Sequence, residues 1–293
     1  MSRAIDIRGV TLIRRTQQEF HYDFKRTALN LLQGRWHRVH RRTVLDNVDV
    51  GIAHGEKVAI IGPNGSGKST LLKVIAGILE PTRGVTAIDG QVAPLIELGV
   101  GFDLELSLVD NIVYYGVLLG HPESQMRASI DSILDFAELQ PYRDEPTKTL
   151  SSGMGARLGF AIATEFRPDI LLLDEVLAVG DDRFRRKCAA RIERFWDANV
   201  TIVVVSHDLG YVTRTCDRVI WMESGRVRFD GPATAGAQRY LDTVPEMPTF
   251  RRGEELVALA DASDRREIVV RGTSETEQGM KVFLIRDGRR HWV

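Results

Sequence analysis

Apolar and polar positions alternate with a period of two over residues 4–13 (AIDIRGVTLI) and again over 44–52 (VLDNVDVGI), the pattern of strands with one buried face. Together the two runs predict an antiparallel opening to the fold. The texture changes at 57–62 (KVAIIG), 170–173 (ILLL) and 201–206 (TIVVVS), where short unbroken runs of aliphatic residues predict strands buried on both faces. Between these runs the period lengthens to that of a helix. One helix is expected from Lys68. Two or more are expected over 108–139, from the spacing of Ile112, Val113, Val117, Ile130, Ile133, Leu134 and Phe136, with a break at Gly120, His121 and Pro122. Others are expected over about 152–166 and after Asp181. Strands that alternate with helices predict a parallel sheet. A hairpin over 220–223 and 226–229, turning at Ser224 and Gly225, and a helix over 233–241 then close this part of the chain near Val244.

Two stretches stand outside that rhythm. Residues 14–43 form a long insertion between the first two strands, in which Asp23 can cap a helix that carries Phe24, Ala28, Leu31 and Leu32 on one side and ends at Gly34. Beyond Val244 the prolines Pro245 and Pro248 mark a linker. Short strands are expected over 255–260 and 266–271, and a hairpin over 282–293 turning at Asp287 and Gly288. Residues 245–293 thus read as a linker and small β-rich tail, too short for a β-sandwich of about 100 residues.

Composition narrows the setting. The chain has 293 residues, and 39 Lys and Arg offset 40 Asp and Glu to a net charge of −1, so bulk charge gives no reason to expect a nucleic-acid partner. Cys188 and Cys216 are the only cysteines and lack CxxC spacing, which suits a reducing cytosol and excludes a disulfide scaffold. The N-terminus has no charged-then-apolar leader pattern, and no run approaches the ~18 apolar residues of a membrane span.

The candidate chemistry begins at Gly62, Pro63, Asn64, Gly65, Ser66, Gly67, Lys68, Ser69 and Thr70, which match GxxxxGK[ST] between a buried strand and a helix start. Glycines let backbone N–H groups wrap phosphates, and the helix N-terminus adds its dipole. Lys68 reaches the β and γ phosphates, and the Ser69 hydroxyl suits Mg²⁺. The aliphatic run 170–173 ends on Asp174 and Glu175. In this context Asp174 is the metal-side carboxylate, acting through water, and Glu175 is placed to orient and polarise the attacking water.

Leu150, Ser151, Ser152, Gly153 and Met154, just ahead of that carboxylate pair, resemble the LSGGQ signature of ABC ATPases. The resemblance covers about residues 4–243 and implies an α/β P-loop ABC ATPase fold: a parallel core sheet, an N-terminal antiparallel part and a helical subdomain at about 104–166. It implies a domain at 1–244 in which Ser151, Ser152 and Gly153 contact ATP held by an opposite subunit, hence a homodimer around two Mg-ATP. His207, after VVVS, resembles the family's switch histidine, and 178–181 (AVGD) its D-loop. Two positions depart from the pattern. Glu97 stands nearest to where the family carries a glutamine that serves Mg²⁺, because Gln91 comes too early. The usual place of the adenine-stacking aromatic is hidden by the insertion, and Tyr22 is the candidate for that role.

The variants SSGM with RLGFAIA behind it, DEVLAVGD, and IELGVGFDLELSLVDNI resemble the ATPases that export O-antigen, capsular polysaccharide or teichoic acid. That resemblance implies a separate polytopic permease, a lipid-linked polysaccharide as cargo, and residence on the cytoplasmic face of the bacterial inner membrane. Another transported substrate, or a soluble ABC ATPase, is the alternative. Arg14, Arg15, Lys25, Arg26, Arg35, Arg38, Arg41 and Arg42 with Trp36 make the insertion at 14–43 basic. As an amphipathic helix it would suit anionic lipid headgroups rather than nucleic acid.

Overall fold

The opening alternation becomes β1 (Arg3–Thr16) and β2 (His40–Ala53), antiparallel partners, with β4 (Arg83–Ile88) on the other edge of β1. The structure is a computed structural model that describes residues 3–16, 40–96, 98–174 and 180–243, without the side chains of 15, 16 and 40, and the backbone of 268–272, 281–286 and 289–292. Two compact units result, Met1–Val244 and Pro245–Val293.

Both opening strands run past the limits of their alternation. Pairing continues through Ile13↔Thr43, Arg14↔Arg42 and Arg15↔Arg41 to Thr16↔His40. The helical insertion expected at 14–43 is therefore shortened from both ends, with 14–16 and 40–43 in strand. The ladder satisfies backbone groups whatever the side chains are, and apolar alternation fades where no face is buried. The helix expected from Asp23 lies outside the described residues.

The second sheet has six strands. Five are parallel: β3 (Lys57–Ile61), β5 (Val92–Leu95), β6 (Ile170–Leu173), β7 (Thr201–Val205) and β8 (Arg218–Glu223). β9 (Arg226–Pro232) is antiparallel to β8, and the order is β5-β6-β7-β3-β8-β9. Side chains divide by parity between the two faces. Val58, Ile60, Ile170, Leu172, Val203 and Val205 join a core shared with the antiparallel sheet and α1 (Lys68–Ile75). Ala59, Ile61, Leu171, Leu173, Ile202 and Val204 join a second core. That core takes Phe184, Cys188, Ile192 and Phe195 from α6 (Asp182–Asp197) and Phe160 from α5 (Ser152–Ala163). Burial on both faces is why these strands read as unbroken aliphatic runs.

A third core gathers α2 (Leu108–Leu118), α3 (Glu123–Ala128), α4 (Ile130–Ala137) and the buried side of α5, through Ile112, Met126, Ile133, Leu134 and Leu158. α7 (Leu209–Thr215) and α8 (Ala233–Thr243) complete the α-helices of the described residues in this unit. Three elements had no counterpart in the sequence pattern: β4 is mostly exposed, α7 is short, and β5 carries Pro94, tolerated because β5 is an edge strand. Cys188 and Cys216 are free and buried, and burial pushes their thiols up to about 12 and about 11.

In the second unit β10 (Ile268–Gly272), β11 (Lys281–Arg286) and β12 (Arg289–Trp292) form an antiparallel sheet with β11 in the middle. The strand expected at 255–260 and the turn at Asp287 and Gly288 lie outside the described residues.

Candidate functional site

Parallel strands present their carboxyl ends along one edge, and three of them deliver polar chemistry there. β3 runs from Ile61 into Gly62, β6 runs from Leu173 into Asp174, and β7 runs from Val205 through Ser206 to His207. The registers Ile60↔Val205 and Leu173↔Val204 set the three ends side by side. A cavity of about 510 Å³ opens at this edge. Asn64, Gly65, Gly67, Lys68, Ser69 and Thr70 line it, opposite Asp174, Val205 and His207.

The loop at 62–67 takes its shape from glycine. Gly62 has φ +140°, and a Cβ there would lie 2.1 Å from the carbonyl oxygen of Met222 on β8. Lys68, only 6% exposed, folds back over the loop and donates from Nζ to the carbonyls of Gly62 at 2.8 Å and Pro63 at 3.0 Å. The N-cap of α1 is Gly67, in the left-handed region, so the cap position itself offers no side chain to the first-turn N–H groups. Ser66 is 2% exposed, and among the described residues nothing hydrogen-bonds its Oγ. A buried ammonium, uncapped amides at a helix start and an orphaned hydroxyl together make a cradle for an anion with several oxygens.

Ser69 and Asp174 face the same cavity with hard oxygen donors. That donor set fits Mg²⁺, which takes one or two protein oxygens and fills its octahedron with phosphate and water. Among the described residues no three His, Cys, Asp or Glu converge as a metal cage, and an ion of this kind does not require one.

The remaining candidates are placed differently. Ser151 caps α5, its Oγ accepting the Met154 N–H at 3.3 Å, and Ser152 and Gly153 begin that helix. None of the three is among the residues lining the cavity. Gln91 precedes β5 at the amino end of the sheet, where its amide meets the Leu119 carbonyl at 3.3 Å and the His121 ring at 3.1 Å. Asp181 accepts the Phe184 N–H at 2.9 Å and pairs with Arg157 of α5 at 3.0 Å. The Phe184 amide first, and the Arg157 charge after it, hold the Asp181 carboxyl below its ordinary range. Glu175, Glu97 and Tyr22 lie outside the described residues.

Three lining residues were missed as site residues: Arg14, Arg42 and Val44. Arg14 and Arg42 had been counted with a basic membrane-facing helix, but they sit in strands at the cavity. The pairing of β1 with β2 past residue 13 was the missing signal, and side-chain pattern does not carry it.

Residues 45–178 match the family described as ABC transporter. The chain is 43% identical over 206 residues to the O-antigen export system ATP-binding protein RfbB of Klebsiella pneumoniae, covering 70% of this chain and 82% of that one. It is 42% identical over 235 residues to the RfbB protein of Myxococcus xanthus, covering 79% of this chain but 53% of that protein's length. A dimeric ATP-binding cassette solved in a post-hydrolysis state with ADP and Pi superposes with a TM-score of 0.58 over 78% of this chain and 98% of that one, at 22% identity, a likeness of fold. The α/β architecture expected from the sequence is that of these cassettes, and the chain belongs to the ABC transporter family, among its ATP-binding proteins.

Proposed function

We propose that the chain binds and hydrolyses ATP as one of two identical subunits that drive a separate membrane permease, with a lipid-linked polysaccharide of the O-antigen, capsule or teichoic-acid kind as cargo. The observation that carries the ATPase reading is the meeting of the loop at 62–67, Lys68, Ser69, Asp174 and His207 around one cavity. Loop amides, the start of α1 and Lys68 bind the phosphates; the Lys68 ammonium moves from the Gly62 and Pro63 carbonyls to phosphate oxygens. Ser69 and, through water, Asp174 hold Mg²⁺, which neutralises phosphate charge; Glu97 is our assignment for a further, water-mediated contact.

Glu175, next in sequence to Asp174, takes the proton of the attacking water as its oxygen bonds to the γ-phosphorus. The bond to the β-phosphate oxygen breaks, giving ADP, inorganic phosphate and a proton. His207 contacts the γ-phosphate and supports that water. Ser151, Ser152 and Gly153 serve the nucleotide of the partner subunit, which accounts for a cavity lined without them. In this reading 1–244 is the nucleotide-binding domain and 245–293 a linker and β-rich tail.

The polysaccharide cargo and the permease rest on the names of the relatives. No helix among the described residues is long and apolar enough to cross a membrane. The chain would then be held at the cytoplasmic face of the inner membrane by its permease. The test is phosphate release from the reconstituted complex. Glu175→Gln is expected to keep ATP binding and to lower turnover by about 10²- to 10⁴-fold, while Lys68→Ala weakens binding itself. Turnover in Glu175→Gln above a tenth of the parent's would remove Glu175 from the mechanism. Failure to co-purify with a polytopic membrane protein would remove the transport reading.

A further inference from the structure

The hairpin of β8 and β9 backs the phosphate loop. Glu223 pairs with Arg226, so Ser224 and Gly225 make the whole turn, and both are left-handed, with φ +50° and +81°. Two central residues with positive φ are the mark of a type I′ turn, which closes through the backbone of the residues on either side. The backbone groups of the central pair ordinarily go to water. Here Gly225 gives both of its groups to the protein: its N–H donates to the Ser66 carbonyl of the phosphate loop at 2.9 Å, and its carbonyl accepts the Asp46 N–H of β2 at 2.9 Å. The hairpin needs neither bond in order to form.

The bond to Ser66 fixes a direction. In a trans peptide the carbonyl and the N–H point to opposite sides, so a Ser66 carbonyl turned back to Gly225 turns the Gly67 N–H away from the hairpin. The same hairpin holds the start of the loop, where the Met222 carbonyl leaves no room for a Cβ on Gly62. The turn itself is tied down. Arg226 donates from Nε and Nη2 to Oδ2 of Asp46, at 2.8 and 2.5 Å, and a Cβ on Gly225 would lie 2.5 Å from the Val44 carbonyl oxygen. Gly225 thus joins β2 to the phosphate loop through two backbone bonds, with Arg226 and Asp46 bracing the joint.

We infer that Gly225 is a positioning residue for the phosphate site: by holding the Ser66 carbonyl it aims the Gly67 N–H into the cavity that Gly67 lines, ready for a phosphate oxygen. The inference rests on the reading of this cavity as an ATP site. Gly225 touches no ligand and acts through Ser66 alone, and the pair of Arg226 and Asp46 keeps the turn in place.

Calorimetric titration of the full chain with Mg-ATP and with magnesium tripolyphosphate, which has the phosphates and no nucleoside, tests this. Gly225→Ala strains the left-handed turn and sets a methyl against the Val44 carbonyl, so the tip must shift and the bond to Ser66 is lost. Both ligands are expected to bind more weakly by the same factor, about tenfold, one hydrogen bond's worth. Arg226→Ala keeps the turn residues and removes their brace, and is expected to weaken both ligands about twofold to threefold. Arg226→Lys, which keeps an ion pair with Asp46, should match the parent. If Gly225→Ala does not fold, the two Arg226 variants decide the matter. A turn that serves stability alone would lower the melting temperature of the variants and leave the affinity of the folded chains unchanged, which would overturn the inference. Weaker ATP binding with tripolyphosphate unaffected, or equal loss in Arg226→Lys and Arg226→Ala, would overturn it too. A parent chain that binds neither ligand would overturn the ATP reading itself; a parent that binds both keeps that reading whatever the variants do.

Discussion

Asn111 is the most heavily used polar side chain in the helical part of the first unit. It is fully buried on α2, donates from Nδ2 to the Asp103 carbonyl at 2.7 Å and the Thr147 hydroxyl at 2.8 Å, and accepts the Asp103 N–H at Oδ1 at 2.9 Å. These bonds fix the turn at 103–107 against the segment at 146–149, and so the approach of the chain to α5. Asn111→Ala would leave buried donors and acceptors without partners and cost about 3 kcal/mol. The expected outcome is a lower denaturant midpoint with an unchanged slope; a midpoint within error of the parent's would mean that water replaces the amide. In the sequence Asn111 is one polar residue in an amphipathic run, with nothing to set it apart from a solvated one. Gly62 and Lys68 differ, because their type and spacing already state what the backbone must do.

At the scale of elements, the joint between the helical part and the sheet passes through the turn from α2 to α3. There His121 packs on Phe166 beyond α5, ring centroids 4.8 Å apart, and its ring meets the Gln91 amide just ahead of β5. Burial lowers the His121 pKa from its usual 6.5. The unfolded chain therefore takes up a proton before the folded one as pH falls. The stability this histidine contributes is complete above about pH 6.5 and is lost as pH drops from there through the folded-state value. The melting temperature should fall on acidification through that window, and His121→Gln, which keeps a polar partner for Gln91 and cannot titrate, should flatten the slope. An identical slope in the variant would assign the effect to other groups. The sequence marks Gly120, His121 and Pro122 as a break between helices; that the break serves as a joint depends on Gln91 and Phe166, which come from distant parts of the chain.

Across the whole molecule, the cavity holds one half of the expected chemistry and the start of α5 holds the other. Arg157 ties that helix to Asp181 at the head of α6 and lies over the Phe184 ring, 4.8 Å from its centroid. The helix carrying Ser151, Ser152 and Gly153 is therefore anchored to the segment that follows Glu175 in the chain. If two chains complete the site, Glu175→Gln with Mg-ATP should sediment as a dimer and return to monomer when ATP is removed. Ser152→Arg, which adds bulk and charge at the start of α5, should stay monomeric while one chain still binds nucleotide. A Ser152→Arg variant that dimerises as well as the parent would place the interface elsewhere.

The sequence by itself determined the α/β architecture, the parallel core strands and the position of the phosphate loop between β3 and α1. These are consequences of short-range pattern: strands buried on both faces must be aliphatic, helices must carry an apolar side, and a tight loop before a helix must be rich in glycine. Only the tertiary structure decided how far β1 and β2 pair and that β5 closes one edge of the sheet; it brings Asp174 and His207, already expected beside the phosphate loop, to one cavity with Lys68. It also turned Arg14 and Arg42 from members of a basic run into opposed residues of that cavity. Strand pairing is long-range and is set by backbone hydrogen bonds that every residue type can make, so side-chain pattern carries no record of where it stops.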